Sequence, residues 1–82
     1  PTVRLEADFD IPLRYGDMLR VETSCSKLGN TSATLVHEMR SAANGEVCAV
    51  VRHVVVTVTL GVLKPCPMPD DVRAQFVAHL RA

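Results

Sequence analysis

The sequence predicts an α+β fold in which four antiparallel strands are followed by one short helix. Apolar and polar residues alternate with a period of two over much of the chain before Gly61, which is typical of strands with one wet face. Asn44-Gly45 gives a hairpin signal between two such segments, and after Pro69 the apolar period becomes that of a helix. Because the chain has 82 residues with no internal repeat or long linker, we expect one domain over residues 1–82.

The first two predicted strands are Val3–Ile11 and Met18–Lys27. Between them, Pro12–Asp17 contains Pro, Gly and Asp, which favour a turn. Alternation predicts that one face of the second strand carries Leu19, Val21, Thr23 and Cys25, and that the other carries Arg20, Glu22, Ser24 and Ser26.

The next two predicted strands are Thr31–Ala42 and Glu46–Leu60, which pair antiparallel across the Asn44-Gly45 turn. Asn-Gly tolerates positive φ at both central residues, so a two-residue type I′ turn is expected. Valines occupy both faces of the fourth segment, and a strand that is apolar on both sides is usually interior to a sheet.

A helix is predicted from Asp70 to Arg81, with Val72, Phe76 and Leu80 on one apolar stripe. Asp70 and Asp71 are expected to cap its first turn, and Arg81 to lie in its last turn, where the helix dipole favours each charge. Such a short helix covers only part of one sheet face. Another copy of the sheet, or a segment outside this chain, is therefore expected to bury the remainder.

Composition argues against several classes of protein. Nine Lys and Arg balance nine Asp and Glu, with no basic run, so nucleic acid is not an expected partner. Arg52 and His53 interrupt the valine-rich segment, which leaves no stretch suited to spanning a membrane. The three cysteines have no zinc-type spacing, so free thiols in a reducing cytoplasm are expected.

The sequence pattern does not favour catalysis by cysteine or metal binding by histidine. Cys48 and His53 have opposite parity on one predicted strand, so their side chains point to opposite faces. Cys25 has the parity of the apolar face and is expected in the core, and Cys66 has no activating neighbour in sequence. His37 and His53 lack partners at ligand spacing, so no metal is expected and packing on the strand face is the favoured interpretation.

The segment Lys27–Ser32 combines a cation, a glycine and several hydroxyl or amide donors. Such a loop suits a phosphate or an amide-bearing chain, although a plain β-turn is the simpler interpretation and both stay open. Lys64 is a second isolated cation near a loop.

Three segments together resemble the hot-dog-fold acyl-CoA thioesterases of the 4-hydroxybenzoyl-CoA thioesterase type. They are Phe9–Asp17, Lys27–Ser32 and Pro67–Arg73, in the right order and at the right separations. The resemblance implies an antiparallel sheet wrapped around a long central helix, with active sites between two subunits. It also implies that a first strand and that helix precede the segment matched from Val3 onward, so this chain corresponds to the later two-thirds of the domain.

The resemblance further implies hydrolysis of an acyl-CoA, with no cofactor, by a homodimer or homotetramer. In such enzymes the catalytic carboxylate comes from near the first strand or from the central helix, so its position is unknown here and no Asp or Glu of this chain inherits the role. For coenzyme A, Gly29, Asn30, Thr31 and Ser32 match the loop along its arm, Lys64 matches a basic position near its phosphates, and Lys27 is adjacent.

Two other functions remain open. One is a non-catalytic hot-dog module for dimerisation or acyl-ligand binding. The other is a hot-dog dehydratase or hydratase, which requires a His and carboxylate motif that is not found here. The acyl group itself stays undetermined.

Overall fold

The computed structural model describes residues 1–81, which form four strands and one helix. The elements are β1 (Thr2–Phe9), β2 (Leu19–Leu28), β3 (Ser32–Ser41), β4 (Val47–Val56) and α1 (Asp70–Ala78). The predicted order of elements is confirmed, and the bounds of β1, β2 and β3 differ from prediction by only one or two residues at each end. No helix in the described residues is long and apolar enough to cross a membrane.

The four strands form a single antiparallel sheet in the order β1-β4-β3-β2. Strand β4 lies between β1 and β3, which confirms the interior position predicted from its valines. The hairpin joining β3 to β4 is also confirmed, but the predicted two-residue turn is wrong. Residues 42–45 form a four-residue loop closed by the Ser41 N–H on the Glu46 carbonyl at 2.9 Å, and within that loop Gly45 alone adopts positive φ.

Strand β4 ends at Val56 rather than at the predicted Leu60. The chain instead reverses through a small hairpin over residues 57–65, in which Val58 pairs with Pro65 and the Thr59 N–H donates to the Lys64 carbonyl at 2.9 Å. Gly61 makes the reversal possible because its φ is 93°, a value that side chains disfavour. The apolar pattern continues past the strand because the hairpin tip is itself apolar and exposed.

The cross-strand register assigns each side chain to one of two faces. We call the first the α1 face, because α1 packs at one end of it, and the second the charged face. One row of the α1 face contains Cys25, Leu35, His53 and Leu5, which confirms the predicted parity of β2. The charged face carries a network of ion pairs in which Arg40 binds both Glu22 and Glu38, at 3.7 and 2.8 Å.

Helix α1 ends at Ala78, so the prediction that it reaches Arg81 is wrong. Leu80 instead forms a parallel bridge with Cys25 at the edge of β2, and this pairing draws the chain out of helical geometry. Asp70 and Asp71 lie in the first turn as predicted, but no side chain caps the helix, because the N-cap residue is Pro69, which has no side-chain acceptor.

A small core cluster lies beneath α1, and Cys48 and Ala49 are buried outside it. Cys25, Ala33 and Met68 are buried, and Leu28, Leu35, Val55 and Phe76 pack around them. Farther along the same face, Leu5, Phe9 and Val21 are 63%, 66% and 53% exposed. The helix therefore covers one end of the α1 face and leaves the other end open, as the sequence predicted.

Candidate functional site

The loop Gly29–Ser32 joins β2 to β3 in a tight turn. The Gly29 N–H donates to the Ser32 carbonyl at 2.8 Å, which closes the turn. A Cβ atom on Gly29 would lie 2.9 Å from the Ser32 Oγ, closer than such atoms approach without displacement. Glycine is therefore favoured here by the close approach of Ser32, and the segment is a β-turn that also presents polar groups.

Each of the first three carbonyls of this loop accepts a hydrogen bond from a distant part of the chain. The Arg73 Nη2 donates to the Gly29 and Asn30 carbonyls at 2.8 and 3.0 Å. The Met68 N–H also donates to the Asn30 carbonyl, at 3.0 Å, and the Thr57 N–H donates to the Thr31 carbonyl at 2.8 Å. The loop is thus held against the start of α1 and the end of β4.

Arg73 is a residue of this site to which sequence reasoning gave no role. It is the last residue of the Pro67–Arg73 segment that carried the resemblance, and its side chain is half-buried. A cation close to a helix N-terminus opposes the helix dipole, which was the one signal that Arg73 serves a purpose outside the helix.

Lys64 lies at the base of the residue 57–65 hairpin, on the same end of the sheet as the loop. Its carbonyl accepts from Thr59, while Cys66 donates to Thr57, the residue that bonds Thr31. The Lys64 side chain is exposed and forms no ion pair within residues 1–81. The backbone therefore brings Lys64 to the loop end of the sheet with its ammonium group free.

Lys27 is placed differently. A bulge between Cys25 and Lys27 shifts the register, so that Lys27 pairs with Thr34 and shares the charged face with it. Its side chain is exposed. The structure therefore brings Gly29, Asn30, Thr31 and Ser32 together with the Lys64 backbone, whereas Lys27 lies on the charged face near the end of β2.

Two of the three thiols are buried, and the imidazoles of His37 and His53 lie on the α1 face. All three cysteines are free, Cys25 is buried as predicted, and the Cys48 Sγ donates to the Glu46 carbonyl at 3.6 Å. The rings of His37 and His53 are 5.8 Å apart on the α1 face, and His37 shares a 2.8 Å hydrogen bond with Thr23. No group of three or more His, Cys, Asp or Glu side chains within residues 1–81 is arranged to hold a metal ion.

A family model described as the thioesterase-like superfamily matches residues 1–76. The chain belongs to this superfamily. A predicted thioesterase from Bacillus stearothermophilus is 34% identical, with a TM-score of 0.88 over 99% of this chain and 59% of that one. A thioesterase superfamily protein from Jannaschia sp. is 32% identical, with a TM-score of 0.86 over 100% of this chain and 56% of that one.

A thioesterase from Thermus thermophilus, solved in complex with coenzyme A and Zn, is 29% identical to this chain. Its TM-score is 0.81 over 95% of this chain and 57% of the other. The chain thus spans less than two thirds of the length of each of these structures, and its sheet and terminal helix form a partial hot-dog fold. A search of curated proteins found no match.

Proposed function

We propose that this thioesterase-superfamily protein hydrolyses an acyl-CoA thioester to a carboxylate and free coenzyme A. The observation that carries the proposal is the Gly29–Ser32 loop, whose carbonyls are tied to Arg73, Met68 and Thr57. A loop fixed in this way loses little conformational entropy when a ligand binds. The superfamily membership and the coenzyme A complex of the Thermus thermophilus relative support the choice of ligand.

In this proposal the loop contacts the coenzyme A arm. Asn30 contributes an amide, and Thr31 and Ser32 contribute hydroxyl groups. Lys64 supplies positive charge for the phosphates from the same end of the sheet, and Lys27 adds a second cation from the charged face.

The chemistry proposed for the thioester is attack on its carbonyl by water that a carboxylate deprotonates, or by the carboxylate itself to give an anhydride that water then cleaves. In both routes N–H groups stabilise the oxyanion, the C–S bond breaks, and the coenzyme A thiolate leaves and takes up a proton. We assign the carboxylate to no residue of this chain. Of its four glutamates, Glu6, Glu22 and Glu38 are held in ion pairs with arginines on the charged face. We propose that the catalytic carboxylate comes from outside residues 1–82.

We also propose an oligomeric state and a cellular location for the protein. The exposed Leu5, Phe9 and Val21 on the α1 face support burial against additional protein, and we propose a homodimer or homotetramer as the active form. Three free thiols suit a reducing compartment, so we propose a cytoplasmic location.

The same open face supports a second candidate function. A module that pairs through its sheet, or that binds an acyl chain without cleaving it, would also bury the exposed apolar residues of β1 and β2. The two candidates differ in whether a thioester is cleaved.

The test is hydrolysis by the purified full-length protein of a panel of aromatic, short-chain and medium-chain acyl-CoA esters. Loss of the thioester ultraviolet absorbance reports cleavage without a thiol reagent, which would also react with the protein's own cysteines. We expect saturable cleavage of at least one ester. Coenzyme A binding without cleavage of any ester would favour the non-catalytic module.

A further inference from the structure

We infer that Arg73 is a positioning residue that turns the peptide groups of the Gly29–Ser32 loop toward the coenzyme A arm. The inference rests on the proposed function, but it concerns binding and is separable from catalysis. Its basis is one nitrogen atom, Nη2 of Arg73, which donates to the carbonyls of two consecutive residues at 2.8 and 3.0 Å.

The geometry of the trans peptide determines where the N–H groups of the loop point. In a trans peptide the carbonyl of one residue and the N–H of the next point in opposite directions, and every peptide bond described here is trans. Because Arg73 draws the Gly29 carbonyl inward, the Asn30 N–H points away from the guanidinium. The Asn30 carbonyl is held inward in the same way, so the Thr31 N–H also points away.

These two N–H groups are the backbone donors that face away from Arg73. Within residues 1–81, neither the Asn30 N–H nor the Thr31 N–H donates a hydrogen bond to a backbone carbonyl or to a side chain. Both N–H groups are available to an oxygen acceptor. Arg73 therefore holds the loop with its carbonyls satisfied and two donors free for an oxygen of the coenzyme A arm, either of a phosphate or of an amide.

The guanidinium suits this task better than an ammonium group does. Its charge strengthens both hydrogen bonds, and its planar shape fixes the direction of each N–H. The Arg73 side chain is half-buried against the loop, so a shorter or more mobile cation would hold the two carbonyls less well. Lysine at this position should restore part of the function, and an uncharged side chain should restore none.

The experiment compares Arg73→Met, Arg73→Lys and the wild type in the full-length protein. Methionine keeps the helix propensity and much of the side-chain volume while removing the donors. The matched control is Arg14→Met, because Arg14 is exposed and lies before β2, whose ten residues place it about 30 Å from the loop. Binding of coenzyme A by calorimetry and the kinetic constants for an acyl-CoA are measured for each variant.

For Arg73→Met we expect the Kd for coenzyme A and the KM for acyl-CoA to rise at least about tenfold, because two charge-assisted bonds are lost. We expect kcat to stay within about twofold, since Arg73 is not placed at the reacting atoms. Arg73→Lys should fall between Arg73→Met and the wild type, and Arg14→Met should match the wild type.

Titration with pantetheine, which lacks phosphates, identifies the acceptor. A weakened affinity for coenzyme A alone would assign the two N–H groups to a phosphate, and a weakened affinity for both molecules would assign them to a pantetheine amide. Either result supports the role of Arg73. If Arg73→Met does not fold, the amide signals of Asn30 and Thr31 in the wild type carry the test, since coenzyme A should shift both and slow their exchange.

Several results would overturn the inference. One is a folded Arg73→Met protein whose coenzyme A affinity and acyl-CoA KM equal those of the wild type. Another is an Arg73→Met protein in which kcat and binding fall only in proportion to the fraction that is unfolded. Amide signals of Asn30 and Thr31 that do not change at saturating coenzyme A would also overturn the inference. A wild type that binds coenzyme A without cleaving any ester would defeat the proposed hydrolase alone, whereas a wild type that does neither would defeat both.

Discussion

The backbone of Cys25 is bonded on both sides to the segment around Leu80. The Cys25 N–H donates to the His79 carbonyl at 2.9 Å, and the Cys25 carbonyl accepts from the Arg81 N–H at 2.7 Å. This parallel bridge joins the segment around Leu80 to the edge of β2, where the Cys25 side chain is fully buried. The bridge also explains why α1 stops where it does.

Replacing Arg81 with proline should therefore destabilise the fold. Arg81→Pro removes the N–H that bonds Cys25, and we expect the free energy of unfolding to fall by about 1 kcal/mol. Arg81→Ala is the control, because it removes the side chain and keeps the N–H, and it should stay within about 0.5 kcal/mol of the wild type. Urea unfolding measures both, and equal stabilities for the two variants would contradict a role for the bridge.

A side chain at position 29 should strain the loop. Gly29→Ala places a Cβ atom 2.9 Å from the Ser32 Oγ, which must rotate away, and we expect a loss of stability of at most about 1 kcal/mol with weaker coenzyme A binding. Removing the hydroxyl with Ser32→Ala in the same chain should recover most of the stability. Thermal unfolding of both variants checks this, and a double variant no more stable than Gly29→Ala would show that the contact is unimportant.

The two lysines should differ in their effect on coenzyme A binding. Changing both Lys27 and Lys64 to Ala should weaken binding and flatten its dependence on salt, because fewer cations then meet the phosphates. Lys64→Ala should have the larger single effect, since the register places Lys27 on the charged face beside Thr34. Calorimetry at several salt concentrations tests this prediction, and an unchanged affinity in the double variant would reject the lysine assignment.

The open end of the α1 face should make residues 1–82 alone prone to association. Leu5 and Phe9 are each more than half exposed, so we expect this segment to bind a hydrophobic dye or to aggregate. Changing both residues to Ser should lower the dye signal, whereas Arg4→Ser on the charged face should not. A stable monomer that binds no dye would argue that the face needs no cover.

The sequence predicted the features that local patterns control. Alternation identified the parity of Val21 and Cys25 on β2, and the run of valines identified β4 as an interior strand. Asn44-Gly45 identified the hairpin, although it did not reveal that the loop has four residues. These features follow from side-chain period and turn chemistry, which a single sequence contains.

The features that could not be predicted from the sequence depend on hydrogen bonds to backbone groups in distant parts of the chain. The end of α1 is determined by a bridge between Leu80 and Cys25, and the role of Arg73 depends on a carbonyl 44 residues earlier. Backbone carbonyls leave no trace in residue identity, so neither contact is visible in the sequence. The early end of β4 was missed because Leu60 and Val62 continue an apolar pattern through an exposed hairpin tip.

The central claim is that the Gly29–Ser32 loop binds the coenzyme A arm. A crystal structure of the full-length protein with coenzyme A tests it most directly. We predict coenzyme A oxygens about 3 Å from the N–H groups of Asn30 and Thr31, with Arg73 still bonded to the Gly29 and Asn30 carbonyls. Coenzyme A bound elsewhere, with no contact to this loop, would contradict the account.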